Sequence, residues 1–366
     1  GEYVNPAWSL DGKQIIVTRG DGATARGHMW AEIQSFELLR LPQSGGALTP
    51  IIKVNDDGRG QVVRASFDAE NRVYYVESAQ PGQATGIQLK SVKLGRSEQR
   101  IHTSFQFADE IAVSPDGKWV AFTESDNVYV MPLPQKATAD PSPRVDKTNP
   151  GSGVKQLSLE GGLFPHWLNA DTLEFGSGNR YFTYNVGSGK TDSTVVHLTV
   201  PGPTPKGTLA FTGARILTMN NRRVIESGSV VVKGSRISCV GQCDTSDADR
   251  IINARGKTII PGLIDTHAHH HTFHRGIIPF RNFETAIYLA YGVTTTIDPA
   301  AWSQSVFPEA EAIEAGFSIG PRTFSTGDVF HAGSGPQHND LTSYDVAERE
   351  VNRRASWGAI SLKDFL

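Results

Sequence analysis

Net charge is almost absent: 35 Lys and Arg stand against 38 Asp and Glu, a formal net of −3. Without a basic field there is nothing to hold a polyanion, so nucleic acid is not an expected partner. Long apolar runs are missing too. No stretch approaches the roughly 18 residues that a membrane helix needs, which excludes a helical span. The chain opens on Gly1 with no charged-then-apolar leader behind it, so a leader, if there was one, is expected to be gone already. No G-x-S-x-G elbow occurs, which removes a serine-peptidase reading. Cysteine is confined to Cys239 and Cys243, in SCVGQC. They are expected as two free thiols flanking a strand-end turn, with a local disulfide as the alternative. Half a zinc site would need a second ligand pair nearby, and none is visible.

What is plentiful is Gly (37) and Pro (20), while only 38% of the 366 residues are hydrophobic. That composition favours many short strands and turns, and the length favours two or three domains. The first 200 residues carry a degenerate repeat. PAWSLDGKQIIV from Pro6 is echoed by IAVSPDGKWVAF from Ile111, with looser copies RASFDAENRVYYV from Arg64 and FPHWLNADTLEF from Phe164. The spacing is about 50 residues, near the period of propeller blades. Asp11-Gly12 and Asp116-Gly117 are hairpin-turn dipeptides, since Gly accepts the positive φ. These boxes resemble the TolB/WD40-like β-propeller family, which implies partial propeller blades over residues 1–200. Four blades are the lower limit for a closed ring, so the ring is expected to be open or completed by residues outside this chain. VGSGKTDS (Val186–Ser193) ends like a phosphate-binding loop, but Tyr184 stands where its first Gly belongs, leaving a hairpin turn.

PGPTPK (Pro201–Lys206) reads as a linker. Alternating runs from Gly207, broken at Asn220-Asn221, Gly228 and Gly234, read as consecutive hairpin strands. Near Thr258 the pattern changes. TIIPGLIDTHAHHH is a buried apolar strand, around Ile259–Ile264, ending in histidines. Phe283, Ala286, Ile287 and Ala290 form a helical stripe closed by Gly292. VTTTIDP, RTFSTGDVF and AISLKDF are strand-like. PEAEAIEAG is a short helix stopped by Gly316. TSYDVAEREVNRRASWG is a helix that Thr342 or Ser343 can cap and Gly358 ends. Strands alternating with helices mean βα units and a parallel sheet.

His267 and His269 stand two apart at a strand's C-terminal end and therefore face the same way, as two ligands for Zn²⁺ or a similar ion would. His270, His271 and His274 are expected as solvated loop histidines, and Asp265 as a turn carboxylate or an orienter of the strand end.

PGLIDTHAH, YGVTTTIDP, GPRTFSTG and GAISLKDF resemble the amidohydrolase superfamily, in its imidazolonepropionase/prolidase-like branch. The resemblance implies a multidomain chain: the propeller blades, then a composite, partial β-sandwich over 207–257 that borrows strands from beyond the barrel, then the first half of a TIM-like (β/α)8 metal-dependent hydrolase barrel over 258–366. It implies hydrolysis of an amide, cyclic amide or peptide-like C–N bond, with one or two zinc or similar ions polarising the scissile carbonyl and lowering the pKa of a water. By position it makes Lys363, ending a strand Ile360–Lys363, a third metal ligand, as a carbamate formed from the neutral amine and CO₂. Ser361 would share its inward face. It places His331 where it can touch substrate. The acid/base Asp is expected beyond Leu366, so no catalytic residue is expected in this chain. A whole barrel takes roughly 250 residues. Strands five to eight are therefore expected from a second polypeptide or a missing C-terminal segment, and an oligomer is compatible with this. The expected substrate is a small molecule or peptide-like, and TolB-like propellers imply a periplasmic or extracellular location. The competing reading is a non-enzymatic propeller interaction module with a vestigial barrel half.

Overall fold

The computed structural model describes residues 3–20, 35–55, 64–78, 86–96, 98–134, 144–147, 149–270, 282–331, 339 and 341–365. They fall into two compact units. One joins Gly1–His197 with Val329–Trp357 and Asp364–Leu366; the other joins Leu198–Asp328 with Gly358–Lys363.

The first unit contains four sheets of four strands, each an antiparallel meander in chain order. They are β1 (Tyr3–Trp8), β2 (Gln14–Arg19), β3 (Ser35–Pro42) and β4 (Thr49–Asn55); β5 (Ser66–Phe67), β6 (Arg72–Ser78), β7 (Ile87–Lys93) and β8 (Gln99–Phe105); β9 (Ile111–Val113), β10 (Trp119–Glu124), β11 (Asn127–Pro132) and β12 (Lys155–Gln156); β13 (Leu163–Trp167), β14 (Thr172–Ser177), β15 (Arg180–Asn185) and β16 (Thr191–Val195). Each copy of the repeat is the opening hairpin of one sheet. The turn is built the same way each time. Ser9 Oγ accepts from Gln14 N and donates to Asp11, with Gly12 at φ 69°. Ser114 Oγ accepts from Trp119 N and donates to Asp116, with Gly117 at φ 68°. In the looser copies Asp68 and Asn169 supply the accepting oxygen, to Arg72 N and Thr172 N.

Strand alternation stacks these sheets face to face. Val73 and Tyr75 of β6 pack toward the first sheet, with Ile16, Leu38 and Val54, while Tyr74 faces the third. On the third sheet Val120, Phe122, Tyr129 and Met131 face back to Leu89 and Phe105, and Ala121, Val128 and Val130 face forward to Trp167, Leu173 and Phe175. Phe122, fully buried, contributes about 2 kcal/mol by leaving water. The first strands of successive sheets adjoin: β1 lies against β5, β5 against β9 and β9 against β13.

In the second unit, β17 (Thr208–Leu217) and β18 (Val224–Lys233) form a long hairpin, joined by β19 (Arg236–Gly241), β20 (Arg250–Asn253) and β21 (Thr258–Ile259) in one five-stranded sheet. Ala214, Ile216, Val230 and Ala254 form its core. Among the described residues this segment forms a single sheet. Cys239 and Cys243 are joined in a disulfide, so the free-thiol expectation is corrected. Gly241 between them, at φ 125°, lets the chain fold back within four residues.

The apolar run after Thr258 is split rather than continuous. β21 pairs with β17, whereas β22 (Leu263–Asp265) opens a three-stranded parallel sheet with β23 (Val293–Asp298) and β24 (Arg322–Ser325). Pro261-Gly262 breaks the run. A Cβ at Gly262 would lie 2.1 Å from Thr294 Oγ1, so β22 can approach β23 only with glycine there. Helix α1 (Phe283–Ala290) is capped by the Asn282 side chain and stops before Gly292, the end that its apolar stripe predicts. Yet Phe283 and Ile287 of that stripe are exposed. Helix α2 (Ser303–Glu314) begins five residues before the expected Pro308. Its start is held by Asp328, which accepts from Ser303 N and Oγ, a cap that local sequence does not reveal.

After β25 (Phe330–His331), helix α3 (Tyr344–Trp357) is capped by Ser343 Oγ and ends at Gly358, both as expected. The fourth strand does not lie where the sequence predicts it. Ile360 N bonds β24 at Ser325 O, while the strand itself is β26 (Asp364–Phe365), paired in parallel with β25. Lys363 and Ser361 therefore precede a strand instead of occupying one, and Ser361 is exposed. The available partner, β25, and not local propensity, chose the paired residues.

Candidate functional site

His267 and His269 lie just past β22. Their rings meet edge to face, centroids 5.1 Å apart at 82°. The alternation that the spacing predicts is kept by main-chain bonds beyond the strand end. His267 N donates to Asp265 Oδ1 (3.0 Å), so Asp265 orients this turn. Ala268 N donates to Ile297 O (2.9 Å) and turns its own side chain inward, leaving the two flanking histidines exposed.

Asp298, the last residue of β23 and 1% exposed, backs this pair. Its Oδ1 lies 3.3 Å from His269 Nδ1, and its Oδ2 accepts from His270 N at 2.9 Å. The sequence motifs by themselves assign Asp298 no role. A signal is nonetheless there: a carboxylate ends the parallel strand that pairs with β22.

His270 is not the solvated loop residue expected. It is buried, its ring 5.0 Å from that of Tyr288 on α1, because Asp298 draws its backbone inward. Burial, then the nearby Asp265, Asp298 and Glu284 carboxylates, push the Tyr288 phenol above its ordinary value. His271 and His274 lie outside the described residues.

Lys363 is half-buried in the second unit, on the segment that Ile360 ties to β24. His331 belongs to the first unit, where its backbone exchanges hydrogen bonds with Asn339. Among the described residues, no group of three or more His, Cys, Asp or Glu side chains is arranged to hold a metal ion. The structure thus brings His267 and His269 together, adds Asp298 behind them, and assembles no larger ligand set among the described residues.

Two imidazoles on one side of a turn, one backed by a buried carboxylate, suit a borderline-soft divalent ion such as zinc. That is as far as the donors' own chemistry reaches. Over 88 residues the chain is 32% identical to a 5'-deoxyadenosine deaminase of Methanosarcina mazei, a match covering 24% of this chain and 19% of that enzyme. Over 63 residues it is 35% identical to a 5-methylthioadenosine/S-adenosylhomocysteine deaminase of Bacillus thuringiensis, covering 16% and 14%. The matched segment spans about a fifth or less of the length of these curated relatives. No protein-family model matches. Among solved structures, a candidate prolidase from Bifidobacterium longum aligns at a TM-score of 0.37 and 21% identity, over 44% of this chain and 41% of that one. A Xaa-Pro dipeptidase with bound methionine aligns at 0.34 and 20%, over 43% and 46%. Likeness at that level fixes neither fold nor activity. Among the described residues no helix is long and apolar enough to cross a membrane.

Proposed function

We propose that this chain is part of a metal-dependent hydrolase of the amidohydrolase type, acting on a carbon–nitrogen bond. The observation that carries the reading is the edge-to-face His267–His269 pair at the end of a parallel strand, with Asp298 against Nδ1 of His269. The partial identity to enzymes named as deaminases agrees, since deamination by water breaks a C–N bond. A divalent ion, zinc or a similar one, would supply polarisation of the scissile group and a water of lowered pKa.

The roles of the chain's own residues follow. His267 and His269 donate nitrogen lone pairs and remain exposed on the side from which substrate arrives. Lys363 is proposed as a further ligand, as a carbamate, and His331 as a substrate contact. The substrate is an amide, cyclic amide, peptide-like or amino-substituted small molecule. Further strands, with the acid/base Asp, come from a second polypeptide or a C-terminal continuation. Residues 1–200 are proposed as propeller blades, supported by the four stacked meanders and their adjoining first strands. A periplasmic or extracellular location is supported by the Cys239–Cys243 disulfide, since such bonds persist in oxidising compartments.

The test uses the intact protein with its completing segment. Metal-stripped protein is titrated with Zn²⁺ against a chromophoric chelator, then assayed on amides, cyclic amides, dipeptides and amino-purine nucleosides. We expect zinc-dependent release of amine or ammonia, abolished by His267→Ala and by His269→Ala. Zinc binding that survives both substitutions, or no binding at all, rejects the reading.

A further inference from the structure

We propose that His102 is an acid-sensitive latch. Neutral, it fastens the connection between β11 and β12 onto the outer edge of β8; protonated, it lets that connection lift away. The latch is independent of any metal and of the hydrolase reaction.

His102 lies on β8, the edge strand of the second sheet, and is 3% exposed. A carbonyl oxygen can only accept, so the ring nitrogen that faces Pro134 O at 3.2 Å, Nδ1, carries the proton. In the neutral ring Nε2 is then an acceptor, and Ser91 Oγ on β7 donates to it at 2.8 Å. Ser91 Oγ accepts in turn from Arg72 Nη1 on β6 at 3.1 Å. One directed chain thus runs from Arg72 through Ser91 and His102 to Pro134, crossing three strands of the second sheet and ending just past β11 of the third. Further along the same connection, Val145 N donates to Ser104 O at 2.8 Å, and Arg144 bridges Ser104 in parallel. Pro134 and Val145 therefore hold two points of the connection against β8.

Protonation breaks this chain at Nε2. A second ring N–H would meet the hydroxyl proton of Ser91, with the Arg72 guanidinium, 4% exposed, behind it. The charged groups around the ring are Arg72 of β6, Arg100 of β8 itself and Asp68 before β6. Glu98 pairs with both arginines, at 3.5 and 2.6 Å. The Tyr74 ring of β6 lies 5.2 Å away, its phenol donating to Asp68 and pushed above its ordinary value by burial. β7 presents the Ser91 hydroxyl, and the connection presents the Pro134 carbonyl. Burial, with Arg72 and Arg100, outweighs Pro134 and Asp68 and holds the imidazole below its ordinary 6.5. Once the connection lifts, the ring meets water and takes up a proton near 6.5. The latch is therefore fully closed above 6.5, weakens as pH falls below it, and levels off under the lowered native value.

The experiment is hydrogen–deuterium exchange of the full chain at pH 7.5 and 5.0, read by mass spectrometry and corrected for intrinsic rates. Peptides covering β8 and residues 144–147 should exchange faster at pH 5.0, by about tenfold for each pH unit between 6.5 and the native value. Peptides covering β2 and β3 of the first sheet should keep their protection. No acceleration, or the same acceleration in β2 and β3, overturns the proposal, and neither result needs a variant to fold. His102→Gln keeps a donor for Pro134 and an acceptor for Ser91 but cannot be charged, so its exchange should be alike at both pH values. A His102→Gln protein that retains the native pH response overturns the latch as well.

Discussion

Arg353 and Asp126 are 227 positions apart in the chain and 2.7 Å apart in space. The guanidinium is 4% exposed and also meets Glu350 at 3.1 Å, one turn back on α3. Glu350 in turn holds Arg354 at 2.8 Å, and Arg354 lies over the Phe330 ring at 3.8 Å. Buried charges persist only when paired, and here the pairing fastens α3 to the turn between β10 and β11. A double-mutant cycle with Asp126→Ala and Arg353→Ala should give a coupling of about 1–3 kcal/mol by denaturant unfolding. Additive losses would mean that the pair does not fasten the helix.

Glu309 on α2 tests burial without a counter-charge. It is 1% exposed, and Asn282 Nδ2 donates to its Oε1 at 2.7 Å. Burial, against the lowering effect of Asn282, pushes its carboxyl above the ordinary 4.5. The native state therefore keeps the proton longer than the unfolded chain does. Stability from this group is full below 4.5 and is lost as pH rises through the raised native value. Glu309→Gln keeps the acceptor for Asn282 and removes the ionisation. The variant should melt higher than the native protein at pH 7.5, with the gap closing near pH 4. An equal gap at both pH values would contradict the burial argument.

Ser114 closes the turn of the second firm repeat copy from a fully buried position. Its Oγ accepts from Trp119 N at 2.9 Å and Lys118 N at 3.2 Å. Ser114→Ala leaves both donors without that oxygen and should cost about 1–3 kcal/mol. A melting temperature unchanged from native would show that the Asp116 and backbone bonds hold the turn without that hydroxyl.

The Cys239–Cys243 bond closes a loop with a sequence separation of only 4. Chain-entropy reasoning for so short a loop gives about 2 kcal/mol. Reduction, or replacement of both cysteines by serine, should lower the stability of the five-stranded sheet by that order. Mass analysis after thiol blocking should find no alkylated cysteine before reduction; two alkylated cysteines in native protein would contradict the bond.

Features set by a few neighbouring residues were legible without the fold. The repeat boxes specified their hairpins because Ser9, Asp11 and Gly12, like Ser114, Asp116 and Gly117, complete a turn within six residues. Ser343 announced a helix start, and Gly292, Gly316 and Gly358 announced ends. The spacing of His267 and His269 was legible too, although past β22 the Asp265 turn and the bond from Ala268 N to Ile297 O hold the segment that carries them.

Tertiary structure decided whatever required a partner distant in sequence. The last strand formed at Asp364–Phe365 because β25 offered its edge there, which displaced Lys363 from the predicted strand. Helix α2 started at Ser303 because Asp328, 25 residues on, caps it. His270 was buried, and His269 backed, by Asp298, about thirty residues away on another strand. Local sequence sets φ, ψ and side-chain alternation. The satisfaction of strand edges, helix ends and buried carboxylates depends on which distant groups the fold delivers, and no short window of residues contains that information.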